Sequence, residues 1–211
     1  MIDLKGIDNI IFDLGVVVIN LDMDETTRQF KALLGDAYDL TMEKLNAVQH
    51  FERYEKGQIP TEEFIKGINE ASQMDLTQKS PKAWNAMLKD IPDQRYSILK
   101  NAMKQFRTFC LSNTNELHID AVYDYLRNEK GIDNLDTYFE KVYLSHEVGM
   151  RKPDEEIFEF VLKENDLVPE KTLFIDDTAG HLIGAEKTGI KTFHLSKGIT
   201  LEDLFPQFVF S

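Results

Sequence analysis

Asp13 follows the apolar run Asn9-Ile10-Ile11-Phe12, and Asp176 and Asp177 follow Lys171-Thr172-Leu173-Phe174-Ile175. Between these acids in sequence, Ser112 and Asn113 follow Thr108-Phe109-Cys110-Leu111, and Lys152 sits in the basic loop Gly149-Met150-Arg151-Lys152-Pro153. Carboxylates gathered at one point raise one another's pKa. A Mg2+ between them removes that cost, because it takes carboxylate oxygens together with water and phosphate oxygens. Lys152 adds a second positive charge facing an incoming dianion, and Ser112 with the main-chain amides near Asn113 and Thr114 offers donors to phosphate oxygens. An Asp that attacks phosphorus forms an aspartyl-phosphate and splits hydrolysis into two easier steps. Residue types and order therefore point to metal-assisted phosphoryl transfer on a small phosphorylated metabolite, provided one crevice holds all of them.

The elements that position these residues are short. Runs of four or five residues rich in Ile and Phe, each ending in polar or small residues, predict buried parallel strands; a fifth run follows at Lys191-Thr192-Phe193-His194-Leu195, and a more polar one at 141–145. Helical periodicity fills the gaps at 116–130, 154–164 and 181–188, with Gly131 and Gly189 as stops. Strand alternating with helix from about 108 to 195 predicts βαβ units: an α/β, Rossmann-like, doubly wound parallel sheet of order 3-2-1-4-5. In such a sheet ligands bind beyond the carboxyl ends of the strands, where Asp13, Ser112 and the Asp176-Asp177 pair all fall. Residues 22–106 carry helical patterns at 26–34, 42–54, 61–71, 80–89 and 94–106 and no convincing strand. About ninety residues of helix far exceed a plain crossover, so we expect a core domain of residues 1–19 and 107–211 with a helical cap of residues 20–106 inserted after the first strand.

Composition narrows the class. The 211 residues carry 24 Lys and Arg against 37 Asp and Glu, a net charge of −13, which repels phosphate backbones and excludes general nucleic-acid binding. A lone cysteine, Cys110, excludes an intrachain disulfide framework and reads as an inert core thiol. With no signal-like N-terminus and no apolar run long enough for a membrane, the expectation is a cytoplasmic protein, monomer or homodimer.

Asp13-Leu14-Gly15-Val16-Val17, Leu111-Ser112-Asn113, Lys152-Pro153 and Ile175-Asp176-Asp177 together resemble the four ordered motifs of the haloacid dehalogenase (HAD) superfamily. Glu55-Lys56-Gly57-Gln58-Ile59 and Glu62-Glu63-Phe64 extend the resemblance to its helical-capped sugar-phosphate phosphatases, in particular the α-glucose-1-phosphate phosphatase group. The resemblance spans Asn9 to about Leu195. It implies Asp13 as nucleophile and metal ligand, the Gly15 carbonyl and Asp177 as further Mg2+ ligands, Ser112, Asn113 and Lys152 as phosphate-binding groups, and Asp176 as support for the metal shell. Most such phosphatases carry a general acid/base Asp where this chain has Gly15, and a positioned acid/base contributes roughly 10²–10⁴-fold. Asp22, on the segment leading into the cap, is the expected substitute. His181 stands where many members have a further carboxylate. Two other readings share parts of the pattern: a metal-independent 2-haloacid dehalogenase, against which the Asp176-Asp177 pair speaks, and a non-catalytic phosphate-binding protein, motivated by Gly15.

Overall fold

The structure, a computed structural model, describes residues 2–209; residues 1, 210 and 211, at the ends of the expected core segments, lie outside the described residues. Five parallel strands among the described residues form one sheet of order β3-β2-β1-β4-β5. They are β1 (Asn9–Phe12), β2 (Arg107–Ser112), β3 (Lys141–Leu144), β4 (Thr172–Asp176) and β5 (Lys191–His194). The order is the one read from the sequence. Strand β1 lies in the middle, with Phe12 in register with Cys110 of β2 and with Ile175 of β4. That register brings Asp13, Ser112 and Asp176 to one edge of the sheet.

After β1 come α1 (Met23–Leu34), α2 (Tyr38–Ala47), α3 (His50–Glu55), α4 (Thr61–Ser72) and α5 (Ser80–Asn85). These share their own apolar centre of Phe30, Leu45, Tyr54, Phe64 and Ile68, in which the Tyr54 and Phe64 rings stack at 4.1 Å. The next helix, α6 (Asp93–Met103), behaves differently from its expected cap neighbours. Its Ile98, Leu99 and Ala102 join the layer beneath the sheet, so this part of the inserted stretch packs with the strands. The expected helix over 42–54 is two helices, because Gln49 takes a left-handed φ of 51°. That break turns His50 inward, where its Nε2 meets the Phe64 carbonyl at 2.9 Å.

The remaining helices are α7 (Glu116–Lys130), α8 (Ser145–Val148), α9 (Glu155–Glu164), α10 (Ala179–Lys187) and α11 (Leu201–Leu204). Alternation along the strands sends side chains to opposite faces. Ile10, Phe12, Cys110 and Ile175 pack with α6, α7 and α11 through Leu99, Leu126 and Leu204. Ile11, Phe109, Leu111 and Phe174 pack with α9 and α10 through Phe158, Val161 and Leu182. Cys110 is fully buried and its thiol pKa is pushed up by burial, in keeping with an inert core role.

Candidate active site

The Asp13 amide extends the sheet ladder by donating to the Ile175 carbonyl at 2.9 Å, which fixes where the aspartate leaves β1. The chain then makes a tight turn: Val17 N–H donates to the Gly15 carbonyl at 2.6 Å and Val18 N–H to the Leu14 carbonyl at 2.9 Å. Val16 in that turn has φ 61°, a left-handed conformation that costs a β-branched residue roughly 1–2 kcal/mol. Arg95 from α6, 5% exposed, donates from Nη1 to the Val16 and Val18 carbonyls at 3.2 and 3.1 Å and from Nε to Glu202 at 3.2 Å. A buried guanidinium thus satisfies carbonyls that the tight turn leaves without helix or sheet partners. No sequence pattern marked Arg95 for this role.

Lys152 is fully buried, and its Nζ lies 2.6 Å from Asp13 Oδ1 and 2.7 Å from Asp176 Oδ2. Burial alone would lower the ammonium pKa, but the two carboxylates overcome it and raise it. The Lys152 main chain is pinned from both sides by one residue: Asn113 Nδ2 donates to the Lys152 carbonyl at 2.8 Å and Asn113 Oδ1 accepts from the Lys152 amide at 2.9 Å. The Asn113 side chain is thus spent on positioning the lysine loop, a use that leaves its main-chain amide, the donor expected near phosphate, a separate group. The Thr114 amide, expected to face phosphate, donates to Ser145 Oγ at 2.9 Å instead. Ser112 ends β2 with 4% exposure and lines the same cavity as Asp13.

Asp13, Asp176 and Asp177 each offer a carboxylate oxygen, and these atoms lie within 4.8 Å of one another. Burial pushes Asp13 up to about 6, with Lys152 opposing the rise and Asp176 adding to it. Asp177 is raised for the same first reason, burial, and then by Asp176. Burial also acts to raise Asp176, but hydrogen bonding from His181 and the charge of Lys152 bring it down to about 2. His181 Nδ1 sits 2.9 Å from Asp176 Oδ2, and the Thr178 amide donates to Asp176 Oδ1 at 2.7 Å. Asp176 is therefore the anchor of Lys152. Asp13 and Asp177 are the acids short of positive charge, and an oxygen-lined divalent site fits them.

The inserted helices close over this edge. Ser145 Oγ donates to the Glu55 carbonyl at 2.6 Å, the Leu117 amide to Tyr54 Oη at 3.1 Å, and Trp84 Nε1 to Asn115 Oδ1 at 3.2 Å. A cavity of about 400 Å³ lies between, lined by Asp13, Ser112, Lys152 and Asp177 and also by Glu55, Trp84 and His118. Glu55 pairs with Arg151 at 2.9 Å, and burial raises its pKa against that pairing. His118 stacks on Trp84 at 5.1 Å. Its Nε2 meets the Trp84 carbonyl at 3.2 Å, so that nitrogen carries the proton, and Nδ1 accepts from Asn115 at 3.1 Å. Burial lowers the His118 pKa to about 4. Asp22 is not among the cavity residues. It caps α1, accepting from the Glu25 amide at 3.2 Å, and pairs with Arg28 at 2.7 Å, so the expected substitute acid is occupied as an N-cap.

A parallel sheet of this order with a carboxylate cluster and a buried lysine at its carboxyl edge defines a class of α/β hydrolase. A family model, haloacid dehalogenase-like hydrolase, matches residues 128–195. A D-ribitol-5-phosphate phosphatase of Bacteroides thetaiotaomicron is 30% identical over 194 residues, covering 91% of this chain and 93% of that protein. The crystal structure of a HAD family enzyme of the same organism superimposes with a TM-score of 0.87 at 33% identity over 95% of this chain and 99% of that one. A wild-type complex of that enzyme with magnesium and inorganic phosphate gives 0.82 at 33% identity over 95% and 100%. The chain belongs to the HAD family and is a phosphatase of it.

Proposed function

We propose that this phosphatase hydrolyses a small phosphorylated sugar or polyol through an aspartyl-phosphate on Asp13, in a reducing cytoplasm and as a monomer or homodimer. The observation that carries the reading is the buried Lys152 ammonium, 2.6 Å from Asp13 Oδ1 and 2.7 Å from Asp176 Oδ2, with Asp177 in the same carboxylate cluster. Asp13 and Asp177, with the Gly15 carbonyl, would hold Mg2+, which when bound neutralises phosphate charge and lets an anionic ester approach an anionic carboxylate. An Asp13 oxygen forms the bond to phosphorus as the ester P–O bond breaks, and the alcohol leaves with a proton. Water then attacks phosphorus, the Asp13–phosphorus bond breaks, and inorganic phosphate and the free carboxylate result. Lys152 and Ser112 bind the phosphoryl oxygens. Lys152 is held for that purpose by Asp176 and, through its main chain, by Asn113.

The proton has to come from a group other than Gly15. We assign its delivery to Glu55, which lines the cavity and whose burial favours the protonated form. His118 has both ring nitrogens engaged, and His181 is bound to Asp176. The polyol class follows the ribitol-phosphate relative, and the α-glucose-1-phosphate group enters as a second arm of the same assay. Phosphate release from ribitol 5-phosphate and glucose 1-phosphate is to be measured with Mg2+ and after EDTA. Asp13→Asn is expected to abolish turnover and EDTA to do so reversibly. Retained turnover in Asp13→Asn sinks the covalent route, and halide release from a 2-haloacid in EDTA favours the dehalogenase instead.

A further inference from the structure

The cavity has two unlike kinds of lining. Besides the phosphate-binding groups, Ile19, Leu21, Met23, Met87, Leu88 and Val122 supply apolar lining. Met23 is 59% and Val16 37% exposed, so apolar surface runs out to the cavity mouth. A second cavity of about 240 Å³ shares Ile19, Leu88 and Val122 with the first and continues past Ile91 and Ala121. Two polar groups near the first cavity's apolar residues are committed, whereas the second cavity also carries Asn85, whose Oδ1 has no partner among the described residues, and Lys89. His118 turns both ring nitrogens to Asn115 and Trp84 and presents carbon to the space, while Asn113 is bound to Lys152.

A fully hydroxylated chain laid against Leu21, Met87, Leu88 and Val122 loses hydrogen bonds to water and meets side chains that return none, which costs roughly 1–3 kcal/mol for each unpaired group. Hydrocarbon laid there gains on burial instead. We infer that the enzyme has a second substrate class: phosphomonoesters of apolar alcohols, alkyl or alkenyl, whose chain occupies the trough from Leu21 and Met87 past Leu88 and Val122. This rests on the phosphomonoesterase reading above and extends it to a leaving group that the polyol reading does not include. The reaction is the same hydrolysis: the ester P–O bond breaks, the alcohol takes a proton, and water supplies the oxygen of inorganic phosphate.

Burial of the chain is the same in ground and transition states, so it lowers KM and leaves kcat unchanged. A fully buried methylene is worth about fourfold in kcat/KM. The experiment is a series of n-alkyl phosphates from ethyl to hexyl, assayed with Mg2+ beside ribitol 5-phosphate. The expected result is a kcat/KM at least roughly tenfold higher for hexyl than for ethyl, carried by KM, with the ratio diminished in Leu88→Asn. That ratio cancels the fraction of variant that folds. A flat or falling series in an enzyme that hydrolyses ribitol 5-phosphate overturns the inference and leaves the phosphatase reading standing. Absence of phosphate release from every ester overturns both.

Discussion

A tight backbone approach between the inserted helices and the sheet domain gives a sharp test of how the site is assembled. Gly57, two residues after Glu55, has φ 63°, and a Cβ built on it would lie 2.1 Å from the His146 carbonyl oxygen on α8. Ordinary carbon–oxygen packing needs about a further 1 Å, and both atoms belong to backbone, so Gly57→Ala must displace the 55–57 segment. The Ser145 Oγ bond to the Glu55 carbonyl, 2.6 Å long, is the first to break, and Glu55 moves with it. A displacement of 1 Å at a positioned group can cost about 10²-fold in rate, so kcat/KM on an alkyl or polyol phosphate should fall by roughly 30–100-fold. The left-handed φ adds about 1 kcal/mol of instability, equivalent to a Tm loss of about 2–4 °C in a chain of this size. Gly131→Ala is the matched control. It has nearly the same φ, 65°, caps α7, and has nothing within 4 Å of the added Cβ. It should show only the Tm loss of about 2–4 °C that the left-handed φ causes, with kcat/KM intact. If Gly57→Ala keeps kcat/KM within about twofold of wild type while Gly131→Ala behaves as stated, the fit of Gly57 against His146 does not set the position of Glu55.

Other substitutions separate the roles assigned above. Glu55→Gln should lower kcat on alkyl phosphates by roughly 10²-fold or more and lower it far less on p-nitrophenyl phosphate, whose leaving group needs little help from an acid; equal losses on both esters would remove Glu55 as the donor. Asp22→Ala should leave turnover unchanged and cost about 1 kcal/mol in urea unfolding through loss of the α1 cap; loss of turnover would restore Asp22 to the reaction. Asp176→Asn removes one of the two carboxylates on Lys152, a charge-assisted bond of about 1.5–3 kcal/mol, so kcat should fall roughly 10–100-fold; unaltered kcat would mean that Asp13 alone positions the lysine. His118 is depressed from 6.5 to about 4 in the folded chain, so its contribution to stability is complete above pH 6.5 and is lost as pH falls from there toward 4. At pH 5.0 that loss is about 2 kcal/mol, read as the difference in the pH dependence of unfolding between wild type and His118→Gln; parallel curves would refute it.

Much of the architecture was legible because strands buried on both faces leave short, dense apolar runs, and those runs here end in the residues that do chemistry. Strand order and the meeting of Asp13, Asp176 and Asp177 followed from that pattern, whereas Lys152 lies in a loop and its place was implied by the family resemblance. What periodicity does not encode is the partner of a polar side chain. Asn113 and Asp22 have residue types suited to a site, yet one pins the lysine loop 39 residues away and the other caps a helix, choices of hydrogen-bond partner made in three dimensions. Arg95 and His118 carry no local signal, since their roles come from partners 77 and 34 residues distant in sequence. The placement of α6 was hidden for a related reason: its apolar stripe fits either the inserted helices or the sheet, and only packing chooses.

The charge arrangement explains how so acidic a chain handles a dianion. At the sheet edge three carboxylates face one ammonium, Asp13, Asp176 and Asp177 against Lys152. Asp176 is fully buried and hydrogen-bonded by Lys152, His181 and the Thr178 amide, so its charge is compensated within the protein and its pKa falls. Burial raises both Asp13 and Asp177, the charge of Asp176 adds to the rise, and Lys152 offsets it only in part, so both hold protons more tightly than ordinary aspartates. A nucleophile must be free of its proton to attack, and a divalent charge beside both acids lowers their pKa values together. In the reaction proposed above, a cation there would both free the Asp13 carboxylate and reverse the local field toward a phosphate dianion. Coupling of these two effects would tie activity to the cation more strongly than binding of the ester alone requires.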